Sequence, residues 1–495
     1  MTAAAIWLPL AAPAAAAVTG ALLPRRAAAI VGVAAATAVL AAGCTLAAGD
    51  LPATTAGGWL RADALTVVML LVIGAVATIA CWAGAHHLDA ETATGAANPA
   101  AARRYLMLVQ LFLAAMCLAV LADNLGLLWV AVEATTIITA FLVGHRRTRA
   151  SVEAAWKYVV LCSVGIAIAF LGTVCVYAAA VATGPHGATA LNWTYLTGHT
   201  TGLDPDLIRL AAGLVLLGFG TKAGLAPMHA WLPDAHSQAP APVSALMSGV
   251  LLAVAVYAIW RYKTITDAVL GPGHTRTLLL IAALASLAVA AVLLIAQRDY
   301  KRMLAYSSIE HMGLVALGTA IGSRLAVAAA LLHVLGHGLA KAALFCGAGQ
   351  ILHTTGSPRI DAVRGLTSYR PALAATFGLG LLAIGGLPPF SLFASELAIA
   401  RAGLATGHGW AIAAAFTLAL IAYAALARHG TAMLLGTPGD DPPSPPGSGM
   451  AATRTRVALA PLALALMAAA ALGLTLGPLD TLLHTAAAII TGDRP

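Results

Sequence analysis

The chain has 495 residues, 60% of them hydrophobic and 9% charged, with a mean hydropathy of +0.89. So little charge excludes a water-soluble globular enzyme of this length and predicts an all-α polytopic membrane protein. The net charge of +8 belongs to the loops that orient such a protein, so no nucleic-acid partner is expected.

In chain order, 14 apolar segments approach the roughly 20-residue spanning length: 4–23, 27–48, 64–85, 105–122, 124–144, 156–182, 208–227, 241–261, 277–296, 303–321, 325–352, 371–403, 409–434 and 457–478. The first precedes Pro24-Arg25-Arg26, the reverse of the charge-first order of a cleaved signal, and is expected to be a retained span. Most Lys and Arg gather in alternate loops: Arg25/Arg26, Arg103/Arg104, Arg146/Arg147/Arg149/Lys157, Arg298/Lys301/Arg302, Arg359/Arg364/Arg370 and Arg428/Arg454/Arg456. That side is expected to be cytoplasmic, with both termini extracytoplasmic, in a cell inner (plasma) membrane. The Pro-, Gly- and Ser-rich run 437–449 reads as a cytoplasmic spacer.

Two spans are interrupted. Ala223-Gly-Leu-Ala-Pro227 and Gly385-Gly-Leu-Pro-Pro389 resemble one another, and each span carries one deep charge, Lys222 and Glu396. Paired broken helices point to a repeat fold with midplane sites. An offset of five spans makes the repeats inverted: two five-helix units at 105–262 and 263–436, after a three-helix region at 1–104 and before a linker and last helix at 437–495.

The six cysteines form no CxxC pair, and no metal or cofactor is expected. The candidate functional residues are ionisable groups in apolar surroundings. Glu133 sits in the middle of segment 5 and needs a basic partner, for which Lys222 is the available deep cation. His333, His337 and Lys341 are spaced by four and share a helix face, a ladder suited to proton hopping through water. Glu310 and His311 lie deep in segment 10, and Glu396 follows the second break as a terminal acceptor. Lys301 reads first as a surface anchor and second as a cytoplasmic proton contact. Blander readings stand beside these: a static Glu133–Lys222 pair, core histidines bonded to carbonyls, a shared metal at the His pair, a structural carboxylate at Glu396. Gly336, Gly338, Gly347 and Gly349 permit either helix distortion or close helix approach.

The blocks Lys222…Pro233-Asp234…Pro242-Val-Ser-Ala-Leu246, Asp299…Lys-Arg…Tyr-Ser-Ser…His-Met-Gly313 and His333…His337…Lys341 resemble the antiporter-like subunits of respiratory complex I, multisubunit Na⁺/H⁺ antiporters and energy-converting membrane-bound [NiFe] hydrogenases. Ser307-Ser-Ile-Glu-His-Met312 and Gly385-Gly-Leu-Pro-Pro-Phe390 are most similar to the hydrogenase-4 component F type. The resemblance implies proton translocation driven by a redox partner, with Glu133 and Lys222 as inlet, Lys341 as central relay and Glu396 as outlet. It implies other membrane subunits, lipid, and a peripheral iron–sulfur/[NiFe] or dehydrogenase arm as partners. A Na⁺/H⁺ antiporter subunit, a membrane partner energising inorganic-carbon uptake, and a structural anchor are the competing functions. One departure stands out: segment 243–260 has no acid or base before Arg261, so Ser244, Ser248, Tyr257 and water would have to bridge Lys222 to the ladder.

Overall fold

The structure, a computed structural model, describes residues 2–93, 95, 98–184, 187–437 and 450–493. The spacer at 437–449 lies outside the described residues except for Thr437. In order, α1 (Thr2–Leu22) and α2 (Arg25–Ala47) lead into a hairpin of β1 (Ala53–Thr55) and β2 (Leu60–Ala62). Then follow α3 (Ala64–Ala93), α4 (Pro99–Leu121), α5 (Leu125–Val143), α6 (Arg149–Val181) and the short α7 (Trp193–Gly198). Next come α8 (Pro205–Ala223), α9 (Trp231–Gln238), α10 (Ala241–Leu246), a π-helical turn at Met247–Leu251, and α11 (Leu252–Leu270). The second half holds α12 (Pro272–Ile295), α13 (Tyr300–Ile321), α14 (Arg324–Thr355), α15 (Leu366–Tyr369), α16 (Pro371–Ile384), α17 (Ser391–Ala405), α18 (Gly409–Leu435), α19 (Met450–Leu474) and α20 (Pro478–Thr491).

Local chemistry sets these boundaries. Asn98, Asn124, Thr148, Asp204, Asp299 and Ser323 cap α4, α5, α6, α8, α13 and α14 by accepting from first-turn N–H groups. Glycines with left-handed backbone end α8, α13 and α14 at Gly224, Gly322 and Gly356.

Among the described residues, 10 helices are long and apolar enough to cross a membrane, or 11 if α19 and α20, bent by 78°, count as one span. The rest of the expected 14 segments fall where charge or a break defeats that criterion: α13, and the interrupted pairs α8–α9 and α16–α17. The set is consistent with the expected segmentation. The β-hairpin and α20 were not expected.

The core sits around α14. This helix packs against α3, α10, α13, α16, α17, α19 and α20, and it is buried over nearly its whole length, as are α10 and α11. Its glycines serve close approach. A Cβ on Gly338 would lie 2.9 Å from the Gly249 carbonyl oxygen, one on Gly349 2.4 Å from the Ala241 Cβ, and one on Gly336 2.3 Å from the Ser391 Oγ. The ionisable ladder is thereby held among helices rather than beside lipid.

Candidate functional site

The first break is built from protein hydrogen bonds. Leu225 N–H returns to the Gly220 carbonyl at 2.8 Å, and Gly224 turns the chain at φ 76°. Beyond it, Ala226 N–H donates to Ser286 Oγ of α12 at 2.9 Å, and Trp231 Nε1 donates to the Thr221 carbonyl at 2.8 Å. Lipid could not satisfy these groups, and here none has to be. Trp231→Phe leaves the Thr221 carbonyl with the Gly224 N–H as donor at 3.2 Å, and is expected to destabilise the protein by roughly 0.5–1.5 kcal/mol, seen as a lower Tm in detergent.

Lys222 lies at the end of α8, fully buried. Its Nζ donates to Thr136 Oγ1 of α5 and Tyr158 OH of α6, both at 2.7 Å, and sits 4.9 Å from the Tyr158 ring centroid. Thr136 Oγ1 in turn donates to Glu133 Oε2 at 3.1 Å. Glu133 and Lys222 meet through Thr136, which stands between them, and not as the static ion pair of the blander reading; Glu133 is half-buried. An acid joined to a base through a hydroxyl can pass a proton without first breaking a charge pair.

The ladder also differs from a single row on α14. His333, His337 and Lys341 are fully buried. His311 of α13 is interleaved with them: its Nδ1 is 2.9 Å from His333 Nε2, and its ring centroid is 5.1 Å from that of His333 and 5.3 Å from that of His337. His333 Nδ1 is 2.9 Å from Ser395 Oγ of α17. Lys341 Nζ donates to the Leu304 carbonyl at 2.6 Å and to Ser307 Oγ. Glu310 is buried and feels the charges of Glu396 and Lys341.

Glu396 is half-buried and reaches back into the second break. A Cβ on Gly386 would lie 2.3 Å from its Oε2, so the carboxylate fits because that residue is glycine. One ligand atom each of His311, His333 and Glu396 lies within 4.8 Å of the others. These three side chains could converge on a cation, although His311 and His333 already share a hydrogen bond.

Lys301 is not the surface anchor expected of it. It is 1% exposed, and its Nζ donates to the Ser237 and Ala239 carbonyls at 2.9 and 2.7 Å, capping the end of α9. Segment 243–260 does not supply the whole bridge either. Tyr257 OH donates to the Val120 carbonyl at 2.6 Å and lies near Thr66 and Arg261, away from the ladder, whereas Ser248 Oγ meets Ser308 Oγ at 2.7 Å.

The residue sequence reasoning missed is His236. It is fully buried on α9, stacked on Phe345 of α14 at 4.8 Å, and feels the charges of Lys341 and Lys301. Its signal was present: a histidine within the broken span, between Pro233 and Pro240. Among the described residues, neither ring nitrogen of His236 or His337 has a hydrogen-bond partner.

Together, fold and site define a multi-pass helical membrane subunit with acids, bases and imidazoles arrayed through its interior. A family model described as NADH:quinone oxidoreductase/Mrp antiporter, TM matches residues 122–422, and the chain belongs to that family. It is 40% identical over 349 residues to the hydrogenase-4 component F homolog of Methylacidiphilum infernorum (isolate V4), covering 70% of this chain and 73% of the relative. A chain of the membrane-bound sulfane sulfur reductase, an archaeal respiratory membrane complex, superimposes with a TM-score of 0.83 at 25% identity, over 99% of this chain and 97% of that one. A chain of the Mrp complex from Dietzia sp. DQ12-45-1b has the same fold, with a TM-score of 0.82 at 23% identity, over 98% and 97%.

Proposed function

We propose that this chain is a proton-translocating membrane subunit of a redox-driven complex of the energy-converting hydrogenase or NADH–quinone oxidoreductase type. The observation that carries the reading is the burial of so many titratable groups in the interior of one helical bundle: Lys222, His236, Lys341, His337, His311 and His333. Glu133 and Lys222 form the inlet, Lys341 the central relay and Glu396 the outlet. Lys301 and Glu310 flank the path. A buried imidazole requires hydrogen-bond partners, so the bare nitrogens of His236 and His337 favour internal water along this route. Neighbouring charges shift one another's proton affinity, so loading one site biases the next.

The likeness of the two breaks supports the inverted-repeat reading, with units at 105–262 and 263–436. Gly224 and Gly386 both have positive φ, and the following leucines, Leu225 and Leu387, both bond back five residues, to the Gly220 and Leu382 carbonyls. The arginine-rich loops support a plasma-membrane orientation with both termini outside. The relatives named above favour other membrane subunits as partners; the driving reaction is assigned, as part of the proposal, to a peripheral iron–sulfur/[NiFe] or dehydrogenase arm.

Native-membrane vesicles test the reading. Substrate-driven proton uptake is expected to continue at full rate in sodium-free buffer. A strict sodium requirement, with sodium uptake in place of proton uptake, would show an antiporter-type or sodium-pumping subunit instead.

A further inference from the structure

A second cluster of ionisable groups lies outside the path just described. His87 and Glu91 stand one turn apart near the end of α3, both buried. His87 Nε2 is 3.3 Å from Glu91 Oε1, and Arg146 Nη2 binds that oxygen at 2.9 Å. His145 Nε2, also buried, is 3.9 Å from Glu91 Oε2. The remaining nitrogen of His87, Nδ1, is 2.9 Å from Nε2 of His353 at the end of α14, which is exposed. The two rings thus join the arginine-rich surface to the interior.

Next to them is a cavity of about 250 Å³. Its walls include His87 and His353 and, from α10 and α14, Ala241, Pro242 and Gly349. The backbone just before α10, at Ala239, accepts from Lys301, and Lys301 feels the charges of Arg146 and Glu91. A static fold has little need of an exposed histidine bonded to a buried one over a buried carboxylate. A proton path needs all three.

We propose that His353, His87 and Glu91 form a second proton inlet on the arginine-rich side, delivering to Lys301 and the ladder a proton separate from the one that Glu133 and Lys222 take up, with both deliveries required in each turnover. A proton binds His353 from solvent and moves across the shared hydrogen bond to His87. It then leaves from His87 Nε2, on the Glu91 side, and passes to Lys301, while the Glu91 carboxylate holds the positive charge in transit. This inlet deepens the translocation reading and rests on it.

The test uses the full chain in its native complex, in membrane vesicles, with charge translocation read as membrane potential so that a permeant weak base does not collapse the signal. His353→Ala is expected to lower potential generation by at least about tenfold at unchanged complex content, and added imidazole to restore it. His353→Gln, which keeps a hydrogen-bonding side chain but carries no proton, is expected to show the same loss and the same rescue. Wild-type rates in both variants, while Lys341→Ala is inactive, would overturn the inlet alone. So would a loss that imidazole does not restore, which would mark a structural role. If Lys341→Ala also pumps normally, the translocation reading fails and the inlet with it.

Discussion

Replacing Lys222 with methionine is expected to abolish proton translocation while the protein still assembles. A charged side chain in a membrane interior costs at least about 2.5–3.5 kcal/mol. Lys222 is fully buried, and among the described residues its Nζ has no carboxylate within ion-pair distance and donates to the Thr136 and Tyr158 hydroxyls. Methionine fills similar volume without the charge, so stability should hold or rise. Thr136 and Tyr158 can then bond one another or water. What is lost is the group that takes the proton from Glu133, and the expected fall in translocation is on the order of 10²-fold or more. The measurement is proton uptake per redox turnover, with complex content checked by immunoblot. Uptake at wild-type levels would mean that Lys222 is a structural ligand of two hydroxyls. Lys341→Met is expected to behave alike, since Lys341 also donates only to a hydroxyl and a carbonyl.

The sequence announced the breaks and the deep charges because each violates a simple expectation: glycine and proline inside a span, or charge inside hydrocarbon. It announced the helices because apolar length is their signature, and each of the 14 expected segments falls on a helix or a broken pair. It could not announce which helix a side chain meets. Thr136 and Tyr158 look like ordinary residues of α5 and α6 until α8 places Lys222 between them. His311 was seen as a flanking group because its partners lie 22 and 26 positions further along, on another helix. His236 lies within the broken span, but nothing in the sequence shows that α9 brings it against Phe345 and near Lys341. The hairpin at 53–62 escaped because two three-residue strands carry no periodic signal, and α20 because 14 residues fall short of a span.

The second large effect is structural and reaches the same site. The inlet depends on α6 and α8 lying almost in backbone contact, so that Tyr158 and Lys222 meet. Small residues permit this: Gly165, Ala169 and Gly172 on α6 face Thr221, Gly218 and Val215 on α8. A Cβ on Gly218 would lie 2.5 Å from the Gly165 carbonyl oxygen and 2.5 Å from Ala169 N. Those are backbone atoms and cannot rotate aside, so Gly218→Val must separate the helices. Overpacking of this kind costs roughly 1–3 kcal/mol, occasionally more. It would also draw Lys222, one turn further along α8, out of reach of Thr136. Gly213→Ala on the same helix meets nothing within 4 Å and is the control. Gly218→Val is expected to lower both the Tm in detergent and proton uptake, whereas Gly213→Ala changes neither. If Gly218→Val kept full Tm but lost uptake, the contact would serve to position Lys222 rather than to hold the fold. If it lost neither, the two helices would not be held together as closely as this seam requires.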